Sequence, residues 1–271
     1  MRTPAAIEVE TEEVLGWAKG ALPAGGRGLR VLEVGCGPGY LAARLAQEGL
    51  EVTAIDSSEE QVTLARENGV SAVACDFLSF EGSPFDALLF TRSLHHVSPL
   101  PEAMRKIRDL LKPGGWILAD EFAHEAMNRA TATWFWDLQA VMEASGTLTP
   151  DVPRRHNHPH GHHHKHDRKQ EPSVDPLERW RERHVHDPPL HGAGVMLTAL
   201  KSGFTVLGHE RLPYLHRYFS DRVADSEEGR RLFLLTRELE TLRIGQGLVV
   251  PIGLRLVARS DRIPSRRRLR P

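Results

Sequence analysis

The sequence predicts an α/β fold: a mostly parallel sheet of seven strands with helices on both faces, and a helical, His-rich insertion after the fifth strand. Three observations carry this prediction. Short, β-branched apolar runs alternate with amphipathic helical stretches over about ninety residues, the pattern of a parallel sheet covered on both faces. Several of those runs end at polar groups, Glu33, Asp56, Asp76, Ser93 and Glu121, which in such a sheet stand at the carboxyl edge where ligands bind. The stretch Val31-Leu32-Glu33-Val34-Gly35-Cys36-Gly37-Pro38-Gly39 reads as a buried strand breaking into a glycine turn before a helix, an arrangement that brings bare main chain and N–H groups up to a ligand.

Composition narrows the class. With 271 residues, 40% of them hydrophobic and 26% charged, the chain has the balance of an ordinary soluble protein and room for one large domain with an insertion, or two small ones. A net charge of -1 argues against a dedicated nucleic-acid binder, which carries a strongly basic face. Two cysteines, Cys36 and Cys75, cannot make a disulfide framework, and both fall in segments expected to be buried. No run approaches the roughly 20 apolar residues of a membrane span, and the N-terminus lacks a secretory pattern. The expectation is a cytoplasmic protein without a membrane partner.

Taken in order, the chain opens with a helix over Ile7–Leu22, its early acids suited to the helix dipole. After a breaker-rich link the first strand runs Leu29–Val34, and the helix behind the glycine turn covers Tyr40–Gln47 with Leu41 and Leu45 on one face. Glu51–Asp56 is the second strand. Ser58 with Gln61 three residues on is a capping-box pattern, starting a helix that reaches Asn68. Ala72–Cys75 and Phe85–Phe90 are the third and fourth strands, Pro101–Leu111 a helix, and Trp116–Ala119 the fifth strand, ending at Asp120 and Glu121. Beyond His124 the regularity changes. A helix over Ala126–Ala144 carries Trp134, Leu138, Val141 and Met142 as an apolar stripe, read as core or as the lining of an acceptor pocket. A polar, proline-containing segment follows, and then Asp175-Pro176 as N-cap and first residue of another helix. A helix near Gly194–Leu200, strands at Phe204–Leu207 and Gly253–Ala258, and a helix over Glu227–Leu242 complete the ordered chain. The expected division is therefore 1–122, 123–203 with a His-rich loop at about 150–175, 204–258, and a basic tail over 259–271.

The glycine spacing discriminates among ligands. Tyr40 occupies the place of the third glycine of a dinucleotide fingerprint, and no Lys-Ser/Thr pair follows the last glycine as a phosphate-binding loop requires. Glu33-x-Gly35-x-Gly37-x-Gly39 instead resembles the first motif of the class I S-adenosylmethionine-dependent methyltransferases. Asp56, about twenty residues on, sits where that family holds the ribose hydroxyls, and Ala74-Cys75-Asp76-Phe77 resembles its adenine-contacting segment. Phe85-Asp86-Ala87, Ser93-Leu94-His95-His96 and Leu111-Lys112-Pro113-Gly114-Gly115 resemble the type 11, ubiquinone/menaquinone-methyltransferase-like branch. The resemblance spans Leu29–Phe122 and implies a Rossmann-like fold, S-adenosyl-L-methionine as cofactor, and cofactor contacts at Glu33, Gly35, Cys36, Gly37, Gly39, Asp56, Ser57, Asp76, Phe77 and Ser93. The chemistry agrees. Carboxylates at Glu33, Asp56 and Asp76 can accept the ammonium, ribose and adenine donors of that molecule, and the glycines and first helical N–H groups can approach its methionine portion.

Methyl transfer is an in-line displacement at an activated carbon, so positioning and desolvation carry much of it. A base is required only where the acceptor loses a proton. The candidates are His95, Glu121 and His124, with His96 beside them; the paired histidines equally suit a pocket loop, and Glu121 and His124 equally suit loop hydrogen bonding. The tract containing His156, His158, His160, His162, His163, His164 and His166 offers imidazoles without fixed geometry, suited to adventitious divalent-metal binding rather than to a built metal site. Two function classes follow: a methyltransferase acting on a small molecule, and a non-catalytic protein of the same fold whose His-rich loop buffers metal. Neither the oligomeric state nor the acceptor is legible.

Overall fold

The computed structural model describes residues 3–150 and 173–261. The histidine tract and the end of the basic tail lie outside the described residues. Helix α1 (Ala5–Ala21) leads to β1 (Arg30–Val34), α2 (Tyr40–Gln47), β2 (Glu51–Asp56), α3 (Glu59–Glu67), β3 (Ala72–Ala74), β4 (Phe85–Thr91), α4 (Leu100–Leu110) and β5 (Leu111–Phe122). Then come α5 (Arg129–Ala144), α6 (Pro176–Arg183), α7 (Ala193–Lys201), β6 (Thr205–Leu212), α8 (Glu227–Gly245) and β7 (Gly253–Arg259). Among the described residues the strands form one sheet of seven in the order β3-β2-β1-β4-β5-β7-β6. The first five are parallel, and β7 pairs antiparallel with both β5 and β6. The strand order reverses between β1 and β4, so the crevice at their carboxyl ends is where a ligand would enter.

Strand alternation sorts the core into two faces. Leu32 and Val34 of β1 point to a cluster built with Ala103, Met104 and Ile107 of α4 and Met196 and Leu200 of α7. Val31 points the other way, to Val14, Leu15 and Ala18 of α1 and Leu41 and Leu45 of α2. Helix α7, expected within a cap, is therefore part of the layer that covers the sheet. A separate aromatic cluster gathers Phe122, Phe135, Trp136, Trp180, Tyr214, Phe219 and Phe233 from β5, α5, α6, α8 and the 3₁₀ turn Leu215–Phe219.

Local signals explain most boundaries. Ser58 accepts from the Gln61 amide at 3.3 Å and Asp175 from those of Leu177 and Glu178, so both expected N-caps form. Three expectations need correction. Helix α5 begins at Arg129, because Asn128 caps the Thr131 amide at 2.8 Å after a 3₁₀ turn over His124–Ala126. Its buried face runs Ala132, Phe135, Trp136, Gln139 and Met142, whereas Val141 is 67% exposed and Trp134 lies under the Arg243 guanidinium. The expected stripe was rotated, since Trp136 and Phe135 pack against α6 and the 3₁₀ turn, elements whose positions α5 alone does not reveal. Strand β6 runs on to Leu212 through Gly208-His209-Glu210-Arg211, polar because an edge strand keeps one flank exposed.

A buried ionic network fastens α1 across the carboxyl edge of the sheet. Asp120 accepts from Arg217 at 2.5 Å and from Arg255 at 2.9 Å; Glu13 reaches Arg255 at 3.1 Å, and Glu10 pairs with Arg92 at 2.6 Å. Burial alone would raise the Asp120 carboxyl, but Arg217 and Arg255 outweigh it and hold it below the ordinary value. Removing one partner of such a network leaves the other charge uncompensated in a dry site. Asp120→Ala should therefore cost about 3–5 kcal/mol, read as a fall in the urea midpoint. A loss under about 1 kcal/mol, the scale of a surface pair, would contradict a buried role.

Candidate functional site

The glycine loop is held by its own amides. Gly35 and Cys36 both donate to the Ile55 carbonyl of β2, at 2.8 and 3.0 Å, and Gly37 donates to Asp56 Oδ2 at 2.9 Å. These N–H groups, expected to face a ligand, instead lock the loop against β2. The glycines then divide by role. A Cβ on Gly35, at φ +73, would sit 2.5 Å from Ser93 Cβ, and one on Gly39, at φ +77, 2.9 Å from Ala65 Cβ. Both are packing positions that no side chain fits. At Gly37 the nearest atom to an added Cβ is Gln61 Oε1 at 3.8 Å, so this peptide faces open space.

Around that loop the expected acids take distinct states. Asp56 uses Oδ1 for the Ser58 amide and Oδ2 for Gly37, each at 2.9 Å, and each oxygen retains a lone pair. Glu33 is 2% exposed, and its Oε2 has no hydrogen-bond partner among the described residues. Burial, then the Asp56 charge, push its carboxyl up to about 8, against a weaker lowering by the Ala42 amide. Asp76 is exposed and accepts from Leu78 N at 2.8 Å. Phe77 lies in the core against Phe90, ring centroids 5.4 Å apart, so only its main chain can serve a ligand. Ser57 is exposed, and burial raises the Cys36 thiol well above its ordinary value.

The ends of β1, β4 and β5 meet at one carboxylate. Glu121, fully buried, accepts from Ser93 N at 2.9 Å and Leu94 N at 2.7 Å through Oε1, and from His95 Nδ1 at 2.5 Å through Oε2. Ser93 in turn donates its hydroxyl to the Val34 carbonyl. Glu121 is fully buried with both oxygens bonded within the fold, so it orients His95. With Nδ1 donating to a carboxylate, a neutral His95 ring carries its lone pair on Nε2.

Beyond β5 lies a wall of aromatic and imidazole rings. Phe122 meets His95 edge-on at 4.9 Å and stacks on Tyr214 at 4.8 Å. His124 stacks on His184 at 6.0 Å, and Trp180 lies 4.1 Å from His184. A cavity of about 400 Å³ is lined by His124, Glu125, Met127, Leu177, Trp180, Arg181 and His184. His184 accepts from the Tyr218 hydroxyl at Nε2, 2.8 Å, while Nδ1 donates to the Trp180 carbonyl at 2.8 Å; burial holds it neutral, its pKa lowered to about 3. Burial also lowers His124, whose Nε2 has no partner among the described residues.

Sequence reading did not place Trp180, His184, Tyr214 or Tyr218 at the site. A signal was present for Trp180 and His184, whose i,i+4 spacing on a helical stretch puts both on one face; Tyr214 and Tyr218 come from a 3₁₀ turn, where that spacing has no such meaning. Among the described residues no group of three or more His, Cys, Asp or Glu side chains could hold a metal ion, and no helix is long and apolar enough to cross a membrane.

Comparison with known proteins places this site in a family. Residues 11–170 match the model of a methyltransferase domain. A malonyl-[acyl-carrier protein] O-methyltransferase of Erwinia pyrifoliae is 32% identical over 140 residues, covering 45% of this chain and 53% of the relative. A ubiquinone biosynthesis O-methyltransferase of Xylella fastidiosa is 39% identical over 97 residues, covering 32% of this chain and 39% of the relative. The chain thus spans about half, or less, of these curated relatives. The same fold occurs in an S-adenosylmethionine-dependent methyltransferase from Mesorhizobium loti, with a TM-score of 0.55 at 18% identity over 92% of this chain and 99% of that one. A glycine loop locked to β2, a lone buried acid at the end of β1 and a family match over more than half of the sequence lead to one conclusion: the chain belongs to the methyltransferase-domain family.

Proposed function

We propose that the protein is an S-adenosyl-L-methionine-dependent methyltransferase acting on a small-molecule acceptor. The observation that carries this reading is the unpartnered Glu33 Oε2. A buried carboxyl without a donor is costly, and a ligand ammonium would supply both the missing hydrogen bonds and the opposite charge. The curated relatives, named as methyltransferases, support it as well. Against the metal-buffer alternative stands the family match, which covers the glycine loop and its acids.

The residues at the site fit that cofactor. Glu33 would take its ammonium, and the free lone pairs of Asp56 its ribose hydroxyls. The exposed Asp76 carboxylate and the main chain at Phe77 would take the adenine, with the bare peptide at Gly37 against the methionine portion. When bound, the cofactor supplies a methyl group on a cationic sulfur. Gly35 and Gly39 preserve the loop's shape, Ser93 pins β4 to β1, and Glu121 fixes the tautomer of His95 beside the aromatic wall. Glu121 is a positioning residue. The finer expectations, a small-molecule acceptor and a cytoplasmic protein, rest on the same reading.

Two measurements test it. Gly37→Val fills the open face of the loop, and Asp56→Ala removes the expected ribose acceptor. Each should weaken S-adenosylhomocysteine binding by about tenfold or more, the worth of one good hydrogen bond to a charged group. Calorimetry showing unchanged affinity in both variants would sink the assignment.

Glu33 adds a pH signature. Its folded pKa, about 8, lies above the ordinary value of 4.5, so the native protein holds a proton that the unfolded chain has lost. Stability from this group is complete below pH 4.5 and disappears as pH rises towards 8. At about 1.4 kcal/mol per pKa unit, the ligand-free protein should lose several kcal/mol across that window, and Glu33→Gln should flatten the urea-midpoint profile. Binding of the ammonium should expel roughly one proton at neutral pH, visible as a buffer-dependent binding enthalpy that Glu33→Gln abolishes. A wild-type enthalpy independent of buffer would count against the contact.

A further inference from the structure

We propose that α8 pairs in parallel with α8 of a second copy of this chain, through a seam of Leu232, Leu235, Leu239 and Leu242. The inference goes beyond the methyltransferase reading and does not rest on it.

Helix α8 carries more apolar surface than its own packing uses. It is 19 residues long, and its buried face is Gly229, Phe233, Thr236 and Glu240, turned towards α1 and the 3₁₀ turn Leu215–Phe219. At 3.6 residues per turn, the four leucines centre roughly 110° away from that face. Leu232 and Leu239 are accordingly half-buried, whereas Leu235 and Leu242 are 49% and 57% exposed. A single exposed leucine calls for no explanation. Four at spacings of three, four and three residues do, because that is the a/d repeat of a two-stranded coiled coil.

Two heptads fall short of the three or four that mark a coil folding on its own. Here the helix is already formed. Its buried face and the Ser226 cap, which accepts from Gly229 N at 3.2 Å, hold it without a partner, so pairing adds no cost of helix nucleation. The apolar surface also continues beside the seam. Trp134, Leu138 and Val141 recur at i, i+4 and i+7 on one face of α5, with Val141 67% exposed. The Arg243 guanidinium, 5.8 Å from the Trp134 ring, joins that face to the flank of α8.

Charge selects the partner and its direction. With the leucines at a and d, Glu238 stands at g and Arg243 at the following e, the two positions that meet across a parallel pair. Neither side chain has an ion-pair partner among the described residues. In a parallel dimer Glu238 meets Arg243 of the partner subunit, and twofold symmetry makes the contact twice. An antiparallel pair layering the same leucines instead sets Glu238 against Glu238 of the partner subunit. A seam flanked by one acid and one base at matching positions is complementary to itself.

Sedimentation velocity of the full chain from about 1 to 200 μM tests this, with a dimer expected to grow in over that range. Leu235→Glu/Leu242→Glu should weaken association about 100-fold or more. At concentrations where the wild type is monomeric, its urea midpoint should match the wild type, since both side chains are exposed there. Glu238→Arg and Arg243→Glu should each weaken association about tenfold, and the double variant Glu238→Arg/Arg243→Glu should restore it. Glu238→Gln should weaken a parallel pair and strengthen an antiparallel one. A wild type that stays monomeric throughout, or a dimer untouched by the leucine variant, would overturn the proposal. So would a monomer whose urea midpoint falls in the leucine variant, which assigns the face to a segment of the same chain. Co-sedimentation of a monomeric wild type with phosphatidylcholine vesicles would overturn it in favour of lipid. Tighter association of Glu238→Gln, or no recovery in the double charge variant, would overturn the parallel arrangement.

Discussion

The site depends on one buried carboxylate, that of Glu121. Two amides and an imidazole of the segment Ser93–His95 converge on its oxygens. A fully buried acid is expensive unless its lone pairs are filled, and here the donors that fill them come from the turn that must be shaped. Because Ser93 is thereby fixed, its hydroxyl can bond Val34 and its Cβ can press against Gly35. A single carboxylate on β5 thus sets the turn after β4 and, through it, the loop after β1. The same device appears again at Glu240 of α8. That residue accepts from the amides of Tyr214, Leu215 and His216 and from His216 Nδ1, at 2.7 to 3.0 Å. Ser93-Leu94-His95 and Tyr214-Leu215-His216 are two turns of one design, and between them they frame the cavity wall: His95 on one side, Tyr214 and Tyr218 on the other.

Two other buried acids show how environment decides ionisation. Asp120 and Glu33 both lie near the carboxyl ends of their strands and are both nearly inaccessible. Asp120 has Arg217 and Arg255 against it and stays ionised, joining α1 to the sheet. Glu33 has only a neighbouring negative charge and a single amide, and so holds its proton. The first is complete in the folded chain. The second keeps an oxygen without a partner among the described residues, and an unsatisfied buried group marks a candidate site where a satisfied one marks architecture.

How much of this was legible follows from where the information resides. The Rossmann-like half was readable because its constraints are local: strand alternation, the caps Ser58 and Asp175, and the glycines at Gly35 and Gly39 announce themselves within a few residues. Even there, spacing does not reveal that the amides of Gly35, Cys36 and Gly37 are bonded within the fold, because their partners Ile55 and Asp56 are some twenty residues away. Glu121 stood out as a strand-end acid, but nothing near it in sequence indicates that Ser93, Leu94 and His95 occupy its oxygens. The ring wall beyond β5 was least readable. It assembles Phe122, His124, Trp180, His184, Tyr214 and Tyr218 from three separate stretches, none of which carries a motif, and Val141 was placed on the buried face of α5 for the same reason.

That division has a physical origin. The cofactor half must match one fixed molecule, so backbone geometry specifies it, and backbone geometry leaves short, repeated marks in a sequence: glycines where φ is positive, acids where strands end. The ring wall beyond β5 needs only to pack its faces together and exclude water. Many combinations of aromatic and imidazole side chains on α5, α6 and the 3₁₀ turn meet that requirement, so no combination becomes a signature. What distinguishes one such wall from another is which of its polar atoms are already bonded. In this chain His184 is bonded at both ring nitrogens and His124 is bonded at one.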